Sequence, residues 1–233
     1  MAALTRKDLK TDRFAQEVGH TVEYVGEHRA QIVRYGLIAL ALIVVIAGIY
    51  FYRQRQHAER QQELATAIRI QEAPIGGGTP GTPLSFSTQQ EKDEAALKAF
   101  SGITERYSGT EEGYIATYFR AAILADQGKL AEAEKLFRQV ADGANRNNAS
   151  LAKLSLAQLY LATNRNQEAE NILRDLIANP TGYVSKEQAT FSLARGLMGS
   201  NPAEARKLLE PLRTSRGAVS QAAIQLYAEL PAQ

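Results

Sequence analysis

The chain has 233 residues, with 27 lysines and arginines against 25 aspartates and glutamates, and no cysteine. That near-neutral balance, with no basic stripe interleaved with aromatics, argues against a nucleic-acid partner, and the lack of thiols removes disulfides, thiolate zinc sites and cysteine nucleophiles together. Forty-five per cent hydrophobic residues, 7 per cent aromatics and no tryptophan, with alanine abundant, point to an all-α protein built from one domain of closely packed helices.

The first segment, residues 1–34, reads as a helical tail. Thr5 and Asp8 stand at capping-box spacing, and Leu9, Phe14, Val18, Val22, Val25 and Ile32 fall near one face. With Lys7, Lys10, Arg13, Arg29 and Arg34 around that face, the tail is either an interfacial helix on anionic headgroups or a solvated arm.

Residues 35–52, YGLIALALIVVIAGIYFY, carry no charge and no amide side chain. Eighteen residues at about 1.5 Å each cover about 27 Å, enough for a transmembrane helix, and Tyr35, Tyr50 and Tyr52 sit where an interfacial aromatic belt would lie. A cleaved signal would need a shorter apolar run and a small-residue site after it, whereas Tyr50, Phe51, Tyr52 and Arg53 follow here, so an uncleaved membrane anchor is expected. Residues 53–72 continue as a polar helix with Leu64, Ala67, Ile68 and Gln71 on one side.

Residues 73–86 form a Gly/Pro-rich linker whose composition no helix interior tolerates. Gly76 and Gly81 have the spacing of a phosphate-binding loop, but Thr82 and Pro83 stand where Lys and Ser or Thr are required. From Ser87 the chain reads as helices to its end. Start signals are Ser87 with Gln90, Ser185 with Gln188, and Asn201 before Pro202 and Glu204; stop signals are Gly109, Gly128, Gly143 to Asn148, Pro180 with Gly182, Gly199 and Gly217.

Residues 87–233 contain a repeat. Ala96-xxx-Phe100-xx-Ile103, Ala133-xxx-Phe137-xx-Val140, Ala169-xxx-Leu173-xx-Leu176 and Ala205-xxx-Leu209-xx-Leu212 align at intervals of 37, 36 and 36 residues, and Ala121, Ala157 and Ala194 precede the last three at 12, 12 and 11. The pattern resembles the tetratricopeptide repeat, a helix-turn-helix unit of about 34 residues, with DQGKLAEAEKLFRQV (Asp126 to Val140) the best stretch. Thr117 and Leu124 replace the usual large aromatics in the first unit, while the second keeps Tyr160. The resemblance implies an α-solenoid of about three degenerate helix pairs after a single N-terminal transmembrane helix. The post-anchor helix and Ser87 to Tyr107 would form a leading pair, and Gly217 to Leu230 a closing helix.

Nothing indicates catalysis. His20, His28 and His57 all lie outside the repeats, so neither a histidine–carboxylate pair nor a two-histidine metal motif arises within them, and the acidic pairs Glu132 with Glu134 and Glu168 with Glu170 read as solvated helix faces. No enzyme activity, cofactor, metal or small-molecule substrate is expected. The resemblance implies a concave protein-binding groove lined by first helices, with Tyr118, Ala122, Ser155, Gln158, Leu161 and Arg195 facing inward.

The order of tail, anchor, polar helix, loop and degenerate repeats, with the run GYIATYFRAAILADQGKLAEAEKLF (Gly113 to Phe137), resembles the bacterial ancillary Sec translocon subunit family. That resemblance implies a single-pass protein of the bacterial inner membrane with a cytoplasmic tail and periplasmic repeats. Its partners would be the lipid bilayer and other proteins, either translocon components or unfolded client polypeptides. Within the tail six basic residues precede the anchor (Arg6, Lys7, Lys10, Arg13, Arg29, Arg34), and Arg53, Arg55, Arg60 and Arg69 follow it. The competing reading is a structural tether or scaffold for assembly of a membrane complex, with no client in the groove and with the repeats on the cytoplasmic side. That placement is favoured when only the nearest basic residues are counted, Arg29 and Arg34 before the anchor against four after it.

Overall fold

The computed structural model describes residues 29–76, 84–215 and 217–231. The tail before Arg29, and with it the capping box at Thr5, therefore lies outside the described residues. Those residues form nine α-helices and one isolated β-bridge: α1 (Arg29–Gln71), α2 (Gln89–Arg106), α3 (Glu111–Asp126), α4 (Leu130–Gly143), α5 (Arg146–Ala162), α6 (Asn166–Ala178), α7 (Lys186–Leu197), α8 (Pro202–Arg213) and α9 (Ser220–Ala228). The fold is all-α with a tetratricopeptide-like solenoid.

The chain divides into two compact units, one up to Ala58 and one from Glu59. In the first, α1 is long and apolar enough to cross a membrane. Among the described residues nothing covers its large apolar side chains: Tyr35 is 68% exposed, Val44 63% and Phe51 68%. A run apolar on every side cannot be the one-sided stripe of a globular surface helix.

In the second unit each helix packs on its sequence neighbours, α2 on α3 through to α8 on α9. Every residue of the alanine frame is buried, with Ala121, Ala133, Ala157, Ala169, Ala194 and Ala205 fully inaccessible. Small side chains there let paired helices approach closely, and Phe137, Leu173 and Leu209, four positions on, fill the space against the next pair. The pairs α3/α4, α5/α6 and α7/α8 share one continuous core. A smaller core joins Leu64 and Ala67 of α1 to Ala96, Phe100 and Ile103 of α2 and Ala116 and Ile123 of α3, with Phe100 stacked on Phe119 at 5.1 Å. Arg60 reaches the buried Glu112 carboxylate at 3.2 Å and Arg106 reaches Glu63 at 2.6 Å, so charge also links the later turns of α1 to α2 and α3.

The helix ends mostly follow their sequence signals. Ser185 accepts from Gln188 N–H and Asn201 from Glu204 N–H, with Pro202 in the first turn. The start of α2 is displaced by one residue: Thr88, not Ser87, caps by accepting from Glu91 N–H, while Ser87 N–H donates back to Glu91 at 3.0 Å. Glu91 thus takes the place expected of Gln90, its carboxylate accepting from the residue before the cap while the Gln90 amide donates to Glu94. The stop expected across Gly143 to Asn148 is shorter. Gly143 ends α4 and Asn145 caps α5 by accepting from Asn148 N–H, leaving two residues between. Of the Gly/Pro stretch, the described flanks are pinned, since Gly76 N–H donates to Phe86 O and Phe86 N–H to Pro74 O.

Candidate protein-binding surface

First helices touch the first helix of the next pair, α3 with α5 and α5 with α7. Second helices meet through long side chains instead. Arg138 of α4 pairs with Glu134 on its own helix at 2.9 Å and lies 4.0 Å from Glu168 of α6; one repeat on, Arg174 of α6 pairs with Glu170 at 2.7 Å and with Glu204 of α8 at 2.6 Å. Closer approach on the first-helix side makes that side the concave one.

The six residues expected to line it fall on α3, α5 and α7. They are not equally available. Gln158 and Arg195 are exposed, whereas Tyr118, Ala122 and Leu161 are partly buried against the core. Tyr118 packs edge-on to Phe137, with centroids 5.6 Å apart, and its hydroxyl is 3.2 Å from Ser155 Oγ. It therefore fastens α3 to α4 and α5. Leu161 closes against Gly196, where an added Cβ would stand 2.7 Å from its Cδ2. The absence of a side chain at Gly196 is what lets α5 and α7 come together.

The acidic residues are more engaged than solvated faces would be. Glu134 accepts from Arg165 at 2.6 Å, from Arg138 and from the Tyr160 hydroxyl at 3.0 Å, and Arg165 also chelates Glu168 at 2.7 Å while lying 4.0 Å over the Tyr160 ring. Arg165 holds the Glu134 carboxyl down at about 2, and burial, together with the hydroxyl's donation to that carboxylate, raises the Tyr160 phenol. This cluster locks α4, α5 and the start of α6 into one joint. Sequence reasoning missed it, although Tyr160 and the 34-residue spacing of Glu134 and Glu168 were visible signals. Among the described residues no group of three or more histidine, cysteine or acidic side chains is placed to hold a metal ion.

A cleft of about 820 Å³ lies between the first turns of α7 and the length of α8, with Ile177 of α6 at its side, and contains none of the six expected residues. It was not anticipated from the sequence.

Residues 31–188 match the family described as a tetratricopeptide repeat-like domain. No curated protein matches the chain significantly. Among solved structures, a crystal structure of nearly identical TPR-like repeats from a kinesin light chain candidate of Podosopora anserina matches at 18% identity, with a TM-score of 0.54 over 72% of this chain and 82% of that one. Its companion structure matches at 18% identity, a TM-score of 0.53, and 72% and 83% coverage. At that identity the likeness speaks for the fold alone, a fold that is typically a non-catalytic interaction scaffold. With its alanine frame buried and well over half its length matched, this chain belongs to the tetratricopeptide repeat-like domain family.

Proposed function

We propose that the chain is a single-pass protein of the bacterial inner membrane, with its tail in the cytoplasm and its repeats in the periplasm. There it takes up segments of polypeptides emerging at the Sec translocon. The repeats make it a protein-protein interaction module. The observation that carries the membrane placement is α1, whose apolar run stays exposed while its later residues Leu64 and Ala67 belong to the repeat core; the translocon and the orientation rest on the family resemblance. Such a run is at rest in a hydrocarbon layer and nowhere in water.

Capture by the inward surface is weak and mostly apolar, and the anchor supplies the working affinity. Three short pairs do not bury the roughly 1,600 Å² of a standard interface, but tethering beside the channel raises local concentration toward the millimolar range. Release then stays fast.

The test places a photo-crosslinker at exposed Gln158 or Arg195 of the full chain, with a control at exposed Lys135 on α4. Translocating chains are expected to crosslink to the first two and not to the third. The double change Tyr118→Ala with Leu161→Arg should abolish that signal while circular dichroism still shows a helical protein. Equal crosslinking from all three positions would replace client capture by the tether reading. Protease added to spheroplasts reads topology, and a fully protected repeat domain would contradict the periplasmic placement.

A further inference from the structure

The cleft between α7 and α8 exists because the third helix pair drops a bridge that the second pair makes. In the second pair Lys153 of α5 donates to Asp175 of α6 at 2.8 Å. Moving along the alanine frame by 37 residues on the first helix and 36 on the second brings Lys153 to Thr190 and Asp175 to Pro211. Both replacements line the cleft, with Ile177, Leu208 and Leu212. Thr190 turns its hydroxyl inward to Lys186 O at 2.7 Å, so it offers the cleft little polarity. An ion-paired seam in one repeat has become an apolar trough in the next.

The rim is charged unevenly. Glu204 is held by Arg174 at 2.6 Å and by the Asn201 amide at 3.0 Å. Glu187 is drawn toward its own backbone N–H and the Ser185 hydroxyl, which lower its carboxyl. Lys186 and Lys207 have no ion-pair partner among the described residues, and both are exposed. Lys186 also opens α7, where the positive end of the helix dipole disfavours a cation. Two ammonium groups without a salt-bridge partner among the described residues, one of them beside Glu187 at a helix start, stand over an apolar floor and favour an anionic and amphipathic occupant.

We propose that this cleft, in the seam between α7 and α8 and sharing no residue with the six of the inward surface, docks an acidic amphipathic helix of a partner protein. The partner's apolar ridge seats on Ile177, Leu208 and Pro211, and carboxylates flanking that ridge meet Lys186 and Lys207. A trough bounded by two helices accepts a third by ridge-into-groove packing, and recognition reads as apolar anchors at i, i+3, i+4 and i+7. The inward surface is only weakly charged, so the two sites select different partners.

The probe is a fluorescein-labelled helical peptide with leucines at that spacing and glutamates elsewhere, added to the full chain in zwitterionic nanodiscs and followed by anisotropy against empty nanodiscs. Saturable binding is expected, weakening as salt screens the rim. The double change Thr190→Lys with Pro211→Asp rebuilds the bridge of the preceding pair and should weaken binding at least about tenfold with helicity unchanged, as should Lys186→Glu with Lys207→Glu. Should the first variant lose helicity, the second, wholly on the surface, carries the test. The proposal is overturned by absence of saturable binding, by equal binding to folded variants, or by a lysine-for-glutamate peptide binding as well. Self-association of the chain that the bridging variant abolishes would also overturn it, because the occupant would then be a second copy.

Discussion

In the second helix pair Ala157, Ala169, Leu173 and Leu176 are buried, and in the third Ala194, Ala205, Leu209 and Leu212 hold the same places. Outside that frame the two pairs diverge. The second is fastened to the first by Glu134, Tyr160 and Arg165 and carries the Lys153–Asp175 bridge. The third has Thr190 and Pro211 instead of the bridge, and its outer charges run in reverse: Arg206 and Glu210 stand where Glu170 and Arg174 do one repeat earlier. Arg206 and Arg213 turn to the Tyr227 ring of α9. A few small and large residues specify the stack, and the rest of each pair is free to acquire a different surface.

If the frame is shared, breaking it should cost the same in both pairs. Ala157→Leu and Ala194→Leu each add volume at a fully buried contact and should each lower stability by about 1–3 kcal/mol, read by chemical denaturation. A tolerated Ala194→Leu beside a damaging Ala157→Leu would show that the third pair is held by its surface and not by the frame.

The outer charges should separate the pairs. Glu134→Gln weakens a partly buried carboxylate that accepts from two arginines and a tyrosine, and about 1–2 kcal/mol should go with it. Its counterpart one repeat on, Glu170→Gln, touches a more exposed pair with Arg174 and should cost under about 1 kcal/mol. Equal losses would mean that the Tyr160 joint has no special role.

Acid should find the same joint. The Glu134 carboxyl titrates at about 2 in the folded chain against 4.5 for an unperturbed glutamate, so the folded state binds its proton later than the unfolded state does. The stabilisation is whole above about 4.5 and is lost as pH falls toward 2, at most about 3 kcal/mol over that window. Melting midpoints should drop between pH 5 and 2.5, and Glu134→Gln should flatten part of the drop. A parallel curve for that variant would remove Glu134 from the acid response.

The frame was legible in the sequence because it repeats: alanines at intervals of 36 and 37 residues announce positions where helices touch. The long apolar run and the caps at Ser185 and Asn201 were legible as local chemistry. The inward surface was legible only as a set of helix faces. That Tyr118 would be spent partly on Phe137 and Ser155, and Leu161 on Gly196, depends on how closely α3, α5 and α7 approach, which no single helix encodes. The Glu134 joint and the α7–α8 cleft were missed for a related reason. Each joins residues from three helices, and the cleft is a difference between repeats, whereas a search for repeats looks for what they share.

The turns inside the pairs give the smallest effects and the sharpest contrast in sign. The first two pairs turn through a left-handed residue, Gly128 at φ 76° and Asn164 at φ 60°, 36 residues apart in the frame. Each is followed by the same closing bond, Lys129 N–H to Leu124 O and Arg165 N–H to Tyr160 O, which satisfies a helix carbonyl one turn back. The third pair is one residue shorter here and closes by Asn201 N–H to Leu197 O, with no left-handed residue in its turn. A Cβ would meet nothing within 4 Å at either Gly128 or Gly199, so only backbone preference distinguishes them. Gly128→Ala should destabilise by about 1 kcal/mol, because alanine resists positive φ. Gly199→Ala should be neutral or stabilise by up to about 1 kcal/mol, because it removes freedom from the unfolded chain and strains nothing. Asn164→Gly should stay within about 0.5 kcal/mol of the parent, asparagine being the side chain that best tolerates this conformation. Matched denaturation curves of the three variants decide it: destabilisation at Gly199 equal to that at Gly128 would place a left-handed residue in the third turn and make all three pairs alike.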